Sequence, residues 1–480
     1  MNLSYAIYKN IFKLVSFASK KINQDSYIIG GYVRDFLLGN TKSNDLDILT
    51  IGEGILLAKE VAKIITNSNK NNNSIKVRIF KRYGTAMLEY NNYRIEFVGS
   101  RKESYQDLNN RNPIISKGSL KDDQNRRDFT INTLAISLNN KNYGELIDPF
   151  GGLFDIKRRM LRTPLNSNIT YSDDPLRMMR AIRFATQLQF SIEKNSFKSI
   201  IKNKDRINIV SKERIVEEFN KILLSNKPSI GLYLLYKSEL LSILLPEITL
   251  LEKVEEKNGF KHKNNFYHTL QVVDNLSKNK SNSIWLRWCG LLHDIGKPYT
   301  KKFLPGVGWT FYSHEYIGSK MISNIFHRLK LPKGNILKYV KKMVKYSSRP
   351  ISLIGDHVSD SAIRRFIFDI GNDLYDLINL CLSDITTIDI EKKKLYKKNI
   401  FFLLKRIEIL EKKDRIMNWK SPISGFHIMK TFNINSCKEI GTIKNFIKDS
   451  ILEGKIKNNF ISAYSIMLKK GKELGLKIKK

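Results

Sequence analysis

The spacing of apolar residues changes near residue 150 and divides the chain into two kinds of region. Before that point, short strand-like runs at 28–29, 46–49, 75–80, 94–98 and 134–138 alternate with segments whose apolar residues recur every three or four positions. These two periods predict strands and helices, respectively. Beyond it the pattern is almost entirely helical, with long amphipathic stretches rich in Leu, Ile and Lys. The sequence therefore predicts an α/β region followed by helical regions.

Domain boundaries are placed where this pattern or the composition shifts. The helical pattern begins after the DPFGG motif, and six of the seven histidines lie between positions 262 and 357. A basic helical pattern then continues to the last residue. We therefore expect domains at 1–150, 151–254, 255–400 and 401–480.

The chain is strongly basic. Lys and Arg number 83 against 46 Asp and Glu, which gives a formal charge of +37 and a pI near 9.8. Such an excess favours a polyanionic partner, and RNA, DNA or an anionic membrane would each satisfy it. Part of the lysine excess reflects the general abundance of Lys, Asn and Ile that is typical of AT-rich genomes. With 42% hydrophobic residues, the chain is expected to form domains with buried cores.

The sequence shows no export or membrane signal. The stretch MNLSYAIYKNIFKLV lacks the apolar core and cleavage site of a signal peptide, and no apolar run approaches the roughly 20 residues of a membrane span. Cys289, Cys381 and Cys437 lie far apart, so we expect small core residues rather than disulfides or metal ligands. These features predict a cytoplasmic protein without a membrane partner, and none of them indicates an oligomeric state.

Two aspartates one residue apart stand inside an apolar run. In a strand, Asp45 and Asp47 project to the same side, where two close carboxylates repel each other unless a cation lies between them. The alternative is a DxD motif in a polar turn. A metal site is favoured by the preceding residues, because Gly30 and Gly31 separate an apolar run from a helical pattern that carries Arg34. A glycine turn before a helix N-terminus is suited to binding phosphate.

A second cluster is RRDFTINTLAI at 126–136. An unpaired guanidinium in such an apolar stretch would be costly, so Arg126 and Arg127 are expected to hold an anion such as a triphosphate. Asp128 and Asn132 could bond ribose hydroxyls. The alternative is that the adjacent arginines are solvated.

A third cluster is SDDPLRMMRAIRFA at 172–185. Ser172 or Asp173 is expected to be a helix N-cap, with Pro175 at an early helical position. Asp174 and Arg177 would then lie side by side, where they could read the edge of a base. The helix also carries arginines three residues apart along one stripe, which could instead be a solvated basic face: Arg177, Arg180 and Arg183.

The histidine-rich region contains a set of metal-ligand type. His268, the pair His293 and Asp294 in GLLHDIGK, and Asp384 combine imidazole and carboxylate groups on predicted helices. His314 is a further candidate. The alternative is that these are ordinary core or surface residues. A divalent transition metal is the cofactor that such a ligand set would suit.

These motifs closely resemble the class II tRNA nucleotidyltransferase and bacterial poly(A) polymerase family. The matching segments are GGYVRDFLLG with DLD, RIEFVGSR, RRDFTINTLAI, DPFGG and DDPLRMMRAIRFA, in that order. The histidine set with LLHDIGK is similar to the HD phosphohydrolase domain, which many family members carry. The resemblance implies an α+β fold, with a polymerase β-like nucleotidyltransferase head (a mixed sheet with helices) followed by all-α neck, body, HD and tail regions that bind tRNA.

The resemblance also implies roles for individual residues. Asp45 and Asp47 would bind catalytic Mg²⁺, with Glu96 either a third carboxylate or an ordinary strand residue. Asp174 and Arg177 would pair with the incoming base. The nucleotide-binding set would comprise Gly30, Gly31, Arg34, Arg126, Arg127, Asp128, Asn132, Asp174, Arg177, Arg180 and Arg183.

Two departures and one similarity refine the expectation. Asp173 stands where the family often has Glu, and Ser347 stands where an HD-domain histidine is expected. The HD domain could therefore be active, hold a single metal or be structural. Gly84 and Thr85 in FKRYGTAMLEY resemble the pattern of CCA-adding enzymes more than that of poly(A) polymerases.

The predicted function is addition of C, C and A to the tRNA 3′ end from CTP and ATP with Mg²⁺. The nearest alternatives are a poly(A) polymerase and an enzyme that adds only CC or only A. A signalling enzyme that joins a nucleotidyltransferase to an HD domain is less consistent with RRDFTIN. A non-catalytic RNA-binding protein would not need both Asp45 and Asp47.

Overall fold

The structure is a computed structural model that describes residues 1–41, 44–68, 75–81, 84–104, 113–278, 283–355, 357–417 and 421–478. It contains two compact units, Met1–Leu244 and Leu245–Lys480. Positions 82 and 83 of the FKRYGTAMLEY segment lie outside the described residues, whereas Gly84 and Thr85 lie inside them. The four domain boundaries stay predictions.

The first unit starts with mixed strands and helices and becomes mainly helical after residue 150, where the apolar pattern changes. In chain order its elements are α1 Asn10–Lys21, β1 Ser26–Ile29, α2 Gly31–Leu37, β2 Asp45–Thr50, α3 Gly54–Ser68, β3 Arg78–Phe80, β4 Thr85–Tyr90, β5 Tyr93–Gly99, β6 Arg101–Ser104, β7 Ile114–Lys117, α4 Leu120–Asn125, β8 Ala135–Ser137, β9 Leu146–Ile147, α5 Gly152–Lys157, β10 Met160–Leu161, α6 Ser167–Asp173, α7 Leu176–Leu188, β11 Ser191–Ile192, α8 Lys194–Asn203, α9 Lys212–Leu223, α10 Pro228–Lys237 and α11 Leu240–Leu244.

One mixed sheet organises this unit. Among the described residues it has seven strands in the order β3-β4-β5-β2-β1-β8-β9. Only β2 and β5 run parallel, and the other neighbouring strands of this sheet are antiparallel. The runs expected to be strands overlap with β1, β2, β3, β5 and β8. The mixed sheet and the mostly helical remainder confirm the predicted α+β class.

Short strand pairs also occur where the sequence pattern gave no sign of them. Described residues form two-stranded sheets from β6 with β7 and from β10 with β11. The strands of β10 and β11 have two residues each. Pairs this short cannot show the alternating period by which a strand is recognised in a sequence.

The turn before α7 differs from the expected one. Ser172 and Asp173 belong to the end of α6, and Pro175 occupies the N-cap position of α7. The expected N-cap at Ser172 or Asp173 was therefore wrong. The Leu176 N–H donates to Asp174 Oδ1 at 3.2 Å, so Asp174 provides the carboxylate at this helix start.

The second unit is mainly helical. In chain order its elements are α12 Pro246–Thr249, β12 Glu256–Lys257, β13 Phe260–Lys261, α13 Asn265–Lys278, α14 Ile284–Leu292, α15 Lys297–Thr300, β14 Lys302–Leu304, β15 Gly308–Thr310, α16 His314–Arg328, α17 Asn335–Lys345, α18 Arg349–Ser352, α19 Asp360–Ile370, α20 Leu374–Asp384, α21 Ile390–Asp414, α22 Gly425–Phe432, α23 Lys438–Leu452 and α24 Phe460–Glu473.

Two separate cores stabilise this unit. Helices α13, α14 and α20 contact one another and bury Val272, Trp288 and Leu377 completely. Helices α22 to α24 bury a second apolar cluster that includes Ile443 and Met467. The first core fixes α13 and α20, which carry His268 and Asp384, and also α14, whose end is followed directly by His293 and Asp294.

Two further expectations can be compared with the structure. Cys289 and Cys381 are buried, in agreement with the sequence prediction, whereas Cys437 is exposed, and all three thiols are free. Within the described ranges, every helix is too short or too polar to cross a membrane.

Candidate active site

A glycine turn places α2 directly beside the two predicted metal-binding aspartates. Gly30 has φ of +84°, which is a left-handed backbone that favours glycine. A Cβ atom at this position would lie 3.0 Å from Arg127 Nη1 and 3.4 Å from Asp47 Oδ2. Glycine is therefore favoured by the turn, and a side chain here would crowd Arg127.

Three carboxylates share one side of the sheet. Asp45 and Asp47 alternate with the buried Leu46 along β2, as the strand period predicted. In the parallel pairing of β2 with β5, Asp47 is in register with Glu96, so their side chains project to the same face. The structure thus brings Glu96 to the aspartates.

The electrostatics of these carboxylates suit a cation. Burial raises the pKa of Asp47, Arg127 partly offsets that rise, and Asp45 adds to it. Burial and the charge of Asp47 likewise raise the pKa of Glu96. A divalent cation bound here would stabilise the ionised carboxylates, and oxygen ligands of this kind are those that Mg²⁺ prefers. The donor set therefore fits the expected metal.

A buried carboxylate that the sequence reasoning missed positions the arginine pair. Asp123 is fully buried, and its Oδ1 accepts from Arg126 Nε at 2.9 Å while its Oδ2 accepts from Arg127 Nε at 3.1 Å. Arg126 also pairs with Glu103 Oε1 at 3.3 Å. Carboxylates of the protein therefore supply part of the negative charge that these guanidiniums were expected to need.

Asp128 has hydrogen-bond partners on both oxygens. Its Oδ1 accepts from the Phe129 N–H and from Asn132 Nδ2, both at 2.9 Å, and its Oδ2 accepts from Arg180 Nε at 2.8 Å. Burial raises the pKa of Asp128, but Arg180 and Asn132 outweigh this effect and lower it to about 2. Arg34 Nη1 completes the network by donating to Asn132 Oδ1 at 2.8 Å. The carboxylate is consequently ionised and fixed in place.

The three arginines of α7 each contact a different partner. Arg177 Nη2 donates to the Arg126 carbonyl at 2.5 Å, Arg180 pairs with Asp128, and Arg183 pairs with the buried Glu218. The Phe184 ring lies beneath the guanidiniums of Arg34, Arg180 and Arg183, whose Cζ atoms are 4.9, 5.4 and 3.8 Å from its centroid. Sequence reasoning did not identify Phe184 as part of this site.

A cavity of about 470 Å³ opens beside the carboxylates. Its lining includes Thr85, from the segment that resembles CCA-adding enzymes, and Arg101, which the sequence reasoning left out. Within the described residues, Arg101 Nε is buried and makes no hydrogen bond. The remaining charged lining residues are Asp47, Arg94, Glu96, Arg126 and Arg127. This cavity joins carboxylates to cationic side chains, as binding of a metal and a polyphosphate would require.

The second unit contains a separate cluster of metal-ligand type. Ligand atoms of His268, His293 and Asp294 lie within 4.8 Å of one another, and all three residues are buried. Asp384 joins them, with Oδ1 2.7 Å from His268 Nε2 and 3.4 Å from His293 Nε2. His314 Nε2 lies 3.4 Å from Asp294 Oδ1. The structure therefore brings together the predicted residues in a site that could hold a metal ion.

Protonation of this cluster follows from its carboxylates. Burial lowers the pKa of His293, but Asp294 and Asp384 outweigh that effect and raise it to about 10. Its Nε2 is buried and lies 3.2 Å from Asp294 Oδ2 and 3.4 Å from Asp384 Oδ1, which are contacts that a metal bound at Nε2 would replace. Lys297 Nζ pairs with Asp294 Oδ2 at 2.6 Å.

Ser347, which stands where an HD-domain histidine was expected, is buried and donates to the Val344 carbonyl at 3.0 Å.

Three protein-family models match the chain. The "Poly A polymerase head domain" matches residues 26–162, the "Probable RNA and SrmB- binding site of polymerase A" matches 189–251, and the "HD domain" matches 265–370. Their identities and order confirm the resemblance that the sequence motifs indicated.

Curated relatives are similar over part of their length. The A-adding tRNA nucleotidyltransferase of Deinococcus radiodurans is 33% identical over 273 residues, which is 55% of this chain and 60% of that protein. The CCA-adding enzyme of Anoxybacillus flavithermus is 34% identical over 230 residues, or 48% of this chain and 53% of that protein. The chain thus spans less than two thirds of either relative.

Solved structures extend the likeness of the fold. A CCA-adding enzyme, apo form II, superposes with a TM-score of 0.65 at 21% identity and covers 99% of each chain. At this identity, the TM-score shows a common fold and no more. The expected order of a head with a mixed sheet and then helical regions is thereby confirmed.

Metal binding to the HD-type cluster is expected to release protons. His293, with its pKa of about 10, holds a proton at pH 7, and a metal must replace that proton to reach Nε2. Apparent affinity for Mn²⁺ should therefore rise with pH between 7 and 9, by about tenfold per pH unit for each proton displaced.

Calorimetric titration in two buffers of different ionisation enthalpy would count the protons. The measurement is made with Asp45 and Asp47 both changed to Ala, so that the first unit does not contribute. A His293→Gln change in that background should abolish the release, while a change of the exposed His327 to Asn should leave it intact. Heats that are independent of the buffer would contradict the assignment.

Proposed function

We propose that this chain, which matches models of the poly A polymerase head, of its RNA-binding site and of the HD domain, is a tRNA nucleotidyltransferase. It adds C, C and A to the tRNA 3′ end from CTP and ATP, with release of pyrophosphate. The observation that carries the proposal is the cavity in which Asp47 and Glu96 face Arg126 and Arg127, beside the Gly30 turn. This geometry combines the groups that bind a metal and a triphosphate.

Asp45 and Asp47 are assigned as the ligands of Mg²⁺, with Glu96 as a neighbouring carboxylate. Mg²⁺ bound there would activate the primer 3′-hydroxyl and stabilise the leaving pyrophosphate. Support comes from the common face of the carboxylates and from the raised pKa of Asp47 and of Glu96, which a cation would offset. The remaining work of phosphoryl transfer is positioning.

The protein positions the nucleotide through side chains that are already held in place. Asp123 fixes Arg126 and Arg127, so these guanidiniums can bind phosphate oxygens with little loss of side-chain freedom. The glycine turn at Gly30 and Gly31 admits phosphates close to the backbone. Asp128 and Asn132 are assigned to the ribose, and Arg34, Arg180 and Arg183 support them through hydrogen bonds and the Phe184 ring.

Asp174 and Arg177 are assigned to base selection. A carboxylate accepts from the exocyclic amino group of cytosine or adenine, and a guanidinium donates to ring acceptors of the same bases. Asp174 stands at the start of α7, and Arg177 follows one turn later. The Arg177 guanidinium also contacts the Arg126 carbonyl, which would couple the base site to the phosphate site.

Transfer RNA is the proposed polyanionic partner. The net charge of +37 supports a large electrostatic contribution to binding, which should weaken as salt rises. The HD-type cluster is assigned a second divalent metal, of transition type, because its imidazole and carboxylate groups suit such ions.

A second candidate is an enzyme that adds only the terminal A. It is favoured by the Deinococcus radiodurans relative, which is named an A-adding tRNA nucleotidyltransferase. The same site would perform that reaction, and the difference would lie in which tRNA end and which nucleotide are accepted.

Direct incorporation assays separate these functions. Purified protein and Mg²⁺ are incubated with three tRNA transcripts ending at the discriminator base, at C or at CC, with CTP and ATP singly and together. We expect all three products to end at CCA when both nucleotides are present. Extension of the CC transcript alone would identify an A-adding enzyme, and long A tails with ATP alone would identify a poly(A) polymerase.

The metal assignment predicts that Asp47→Asn lowers the kcat of nucleotide incorporation by about a thousandfold or more. The substitution removes the charge of one metal ligand while it keeps the shape of the side chain. Asp45→Asn should act similarly. Filter binding should show tRNA affinity within about twofold of wild type. The exposed Glu53→Gln, just after β2, is the matched control and should remain active. Incorporation by Asp47→Asn at the control rate would overturn the metal assignment.

The base-selection assignment predicts that Asp174→Asn alters the choice between CTP and ATP more than it alters RNA affinity. Asparagine keeps the oxygen that accepts from the Leu176 N–H, so the start of α7 is preserved, but it replaces one acceptor with donors. We expect the ratio of kcat/KM values for the two nucleotides to change by about tenfold or more. An unchanged ratio would reject the assignment.

A further inference from the structure

One imidazole nitrogen in the HD-type cluster has two competing neighbours. Lys263 Nζ lies 2.7 Å from His268 Nδ1, and Thr386 Oγ1 lies 2.8 Å from the same nitrogen. Lys263 Nζ also donates to Thr386 Oγ1 at 2.5 Å. On the opposite side of the ring, His268 Nε2 is 2.7 Å from Asp384 Oδ1. The imidazole is buried, so these contacts replace water for both of its nitrogens.

The Lys263 contact determines which nitrogen carries the proton. An ammonium group has donors and no acceptor, so its hydrogen bond requires a lone pair on His268 Nδ1. A neutral imidazole with that lone pair carries its proton on Nε2, and this proton is directed at the Asp384 carboxylate. A metal ion would need the Nε2 lone pair instead. In the observed arrangement, His268 is therefore not a metal ligand.

Thr386 offers the other arrangement. With a metal on Nε2, Nδ1 carries the proton and needs an acceptor, as metal-bound histidines generally have. The Thr386 hydroxyl oxygen is at hydrogen-bond distance from Nδ1. It accepts from Lys263 in the observed arrangement, and it can accept from Nδ1 once Lys263 has moved. Lys263 would then have to turn away from Nδ1, which its long side chain and exposed position allow.

We propose that Lys263 and Thr386 compete for His268 Nδ1 and thereby set the metal affinity of the HD-type cluster. Lys263 holds the metal-free tautomer, and Thr386 supports the metal-binding one. Charge acts in the same direction, because the ammonium partly neutralises Asp384 and would be repelled by a divalent cation. The proposal does not depend on nucleotide addition, since every residue involved belongs to the second unit.

Paired substitutions on the same nitrogen test the competition. In the full chain with Asp45 and Asp47 both changed to Ala, Mn²⁺ is titrated calorimetrically into three further variants: Lys263→Met, Thr386→Val and Lys261→Met. Lys261 is an exposed lysine two positions before Lys263, at the end of β13, and serves as the matched control. Thermal unfolding without metal verifies that each variant is folded.

The two changes should move metal affinity in opposite directions. Lys263→Met should tighten Mn²⁺ binding by about 10- to 100-fold, because a hydrogen bond from a charged group no longer holds the unsuitable tautomer. Thr386→Val should weaken it by about tenfold or more, the usual effect of losing the outer partner of a metal-bound histidine. Lys261→Met should match the parent. Equal affinity in Lys263→Met and Lys261→Met, or no binding by any variant, would overturn the proposal.

A spectroscopic readout separates this role from a structural one. Long-range ¹H–¹⁵N correlation spectra of metal-free protein report which ring nitrogen is protonated, and a His268→Gln variant assigns the signal. We expect an Nε2–H tautomer in the parent and an Nδ1–H tautomer in Lys263→Met. An Nδ1–H tautomer in the metal-free parent would contradict the proposal even if Lys263→Met altered affinity.

Discussion

Buried charges must be paired, and this constraint shapes both sites of the molecule. In the first unit, fully buried Asp123 holds two guanidiniums and Asp128 holds a third, Arg180. Each pair would be costly to break, because the remaining partner would be a desolvated charge. The cavity side chains are thus fixed by the same contacts that make burial of the carboxylates tolerable.

The second unit satisfies the constraint in another way. Its cluster places two carboxylates against two imidazoles, and Lys263 and Lys297 provide further positive charge. Burial raises the pKa of both aspartates, but their cationic partners outweigh it and lower the pKa. For Asp294 these partners are His293 and Lys297. For Asp384 they are His293 and His268. A cluster neutralised by its own residues can stay folded without a metal, and a metal must then displace protons or ammonium groups.

Sequence reasoning succeeded where one local period or one motif decided the outcome. The common side of Asp45 and Asp47 follows from strand alternation alone, and the histidine set was found from residue type and the HD dipeptide. It failed where partners were determined by tertiary contacts, as for Lys263 and Thr386, or by Phe184 beneath the arginines of α7. Asp123 is intermediate, because its spacing of three and four residues before Arg126 and Arg127 is a detectable helical ion-pair pattern.

The parallel pairing of β2 with β5 also limits how this protein can change in length. Asp47 and Glu96 meet because their strands are aligned residue for residue. A single-residue insertion within β5 before Glu96 would turn its side chain to the other face of the sheet, whereas the segments on either side of α3, between β2 and β3, are not bound by that register. Homologous chains that keep this site should therefore differ in length in those segments and not in the strands.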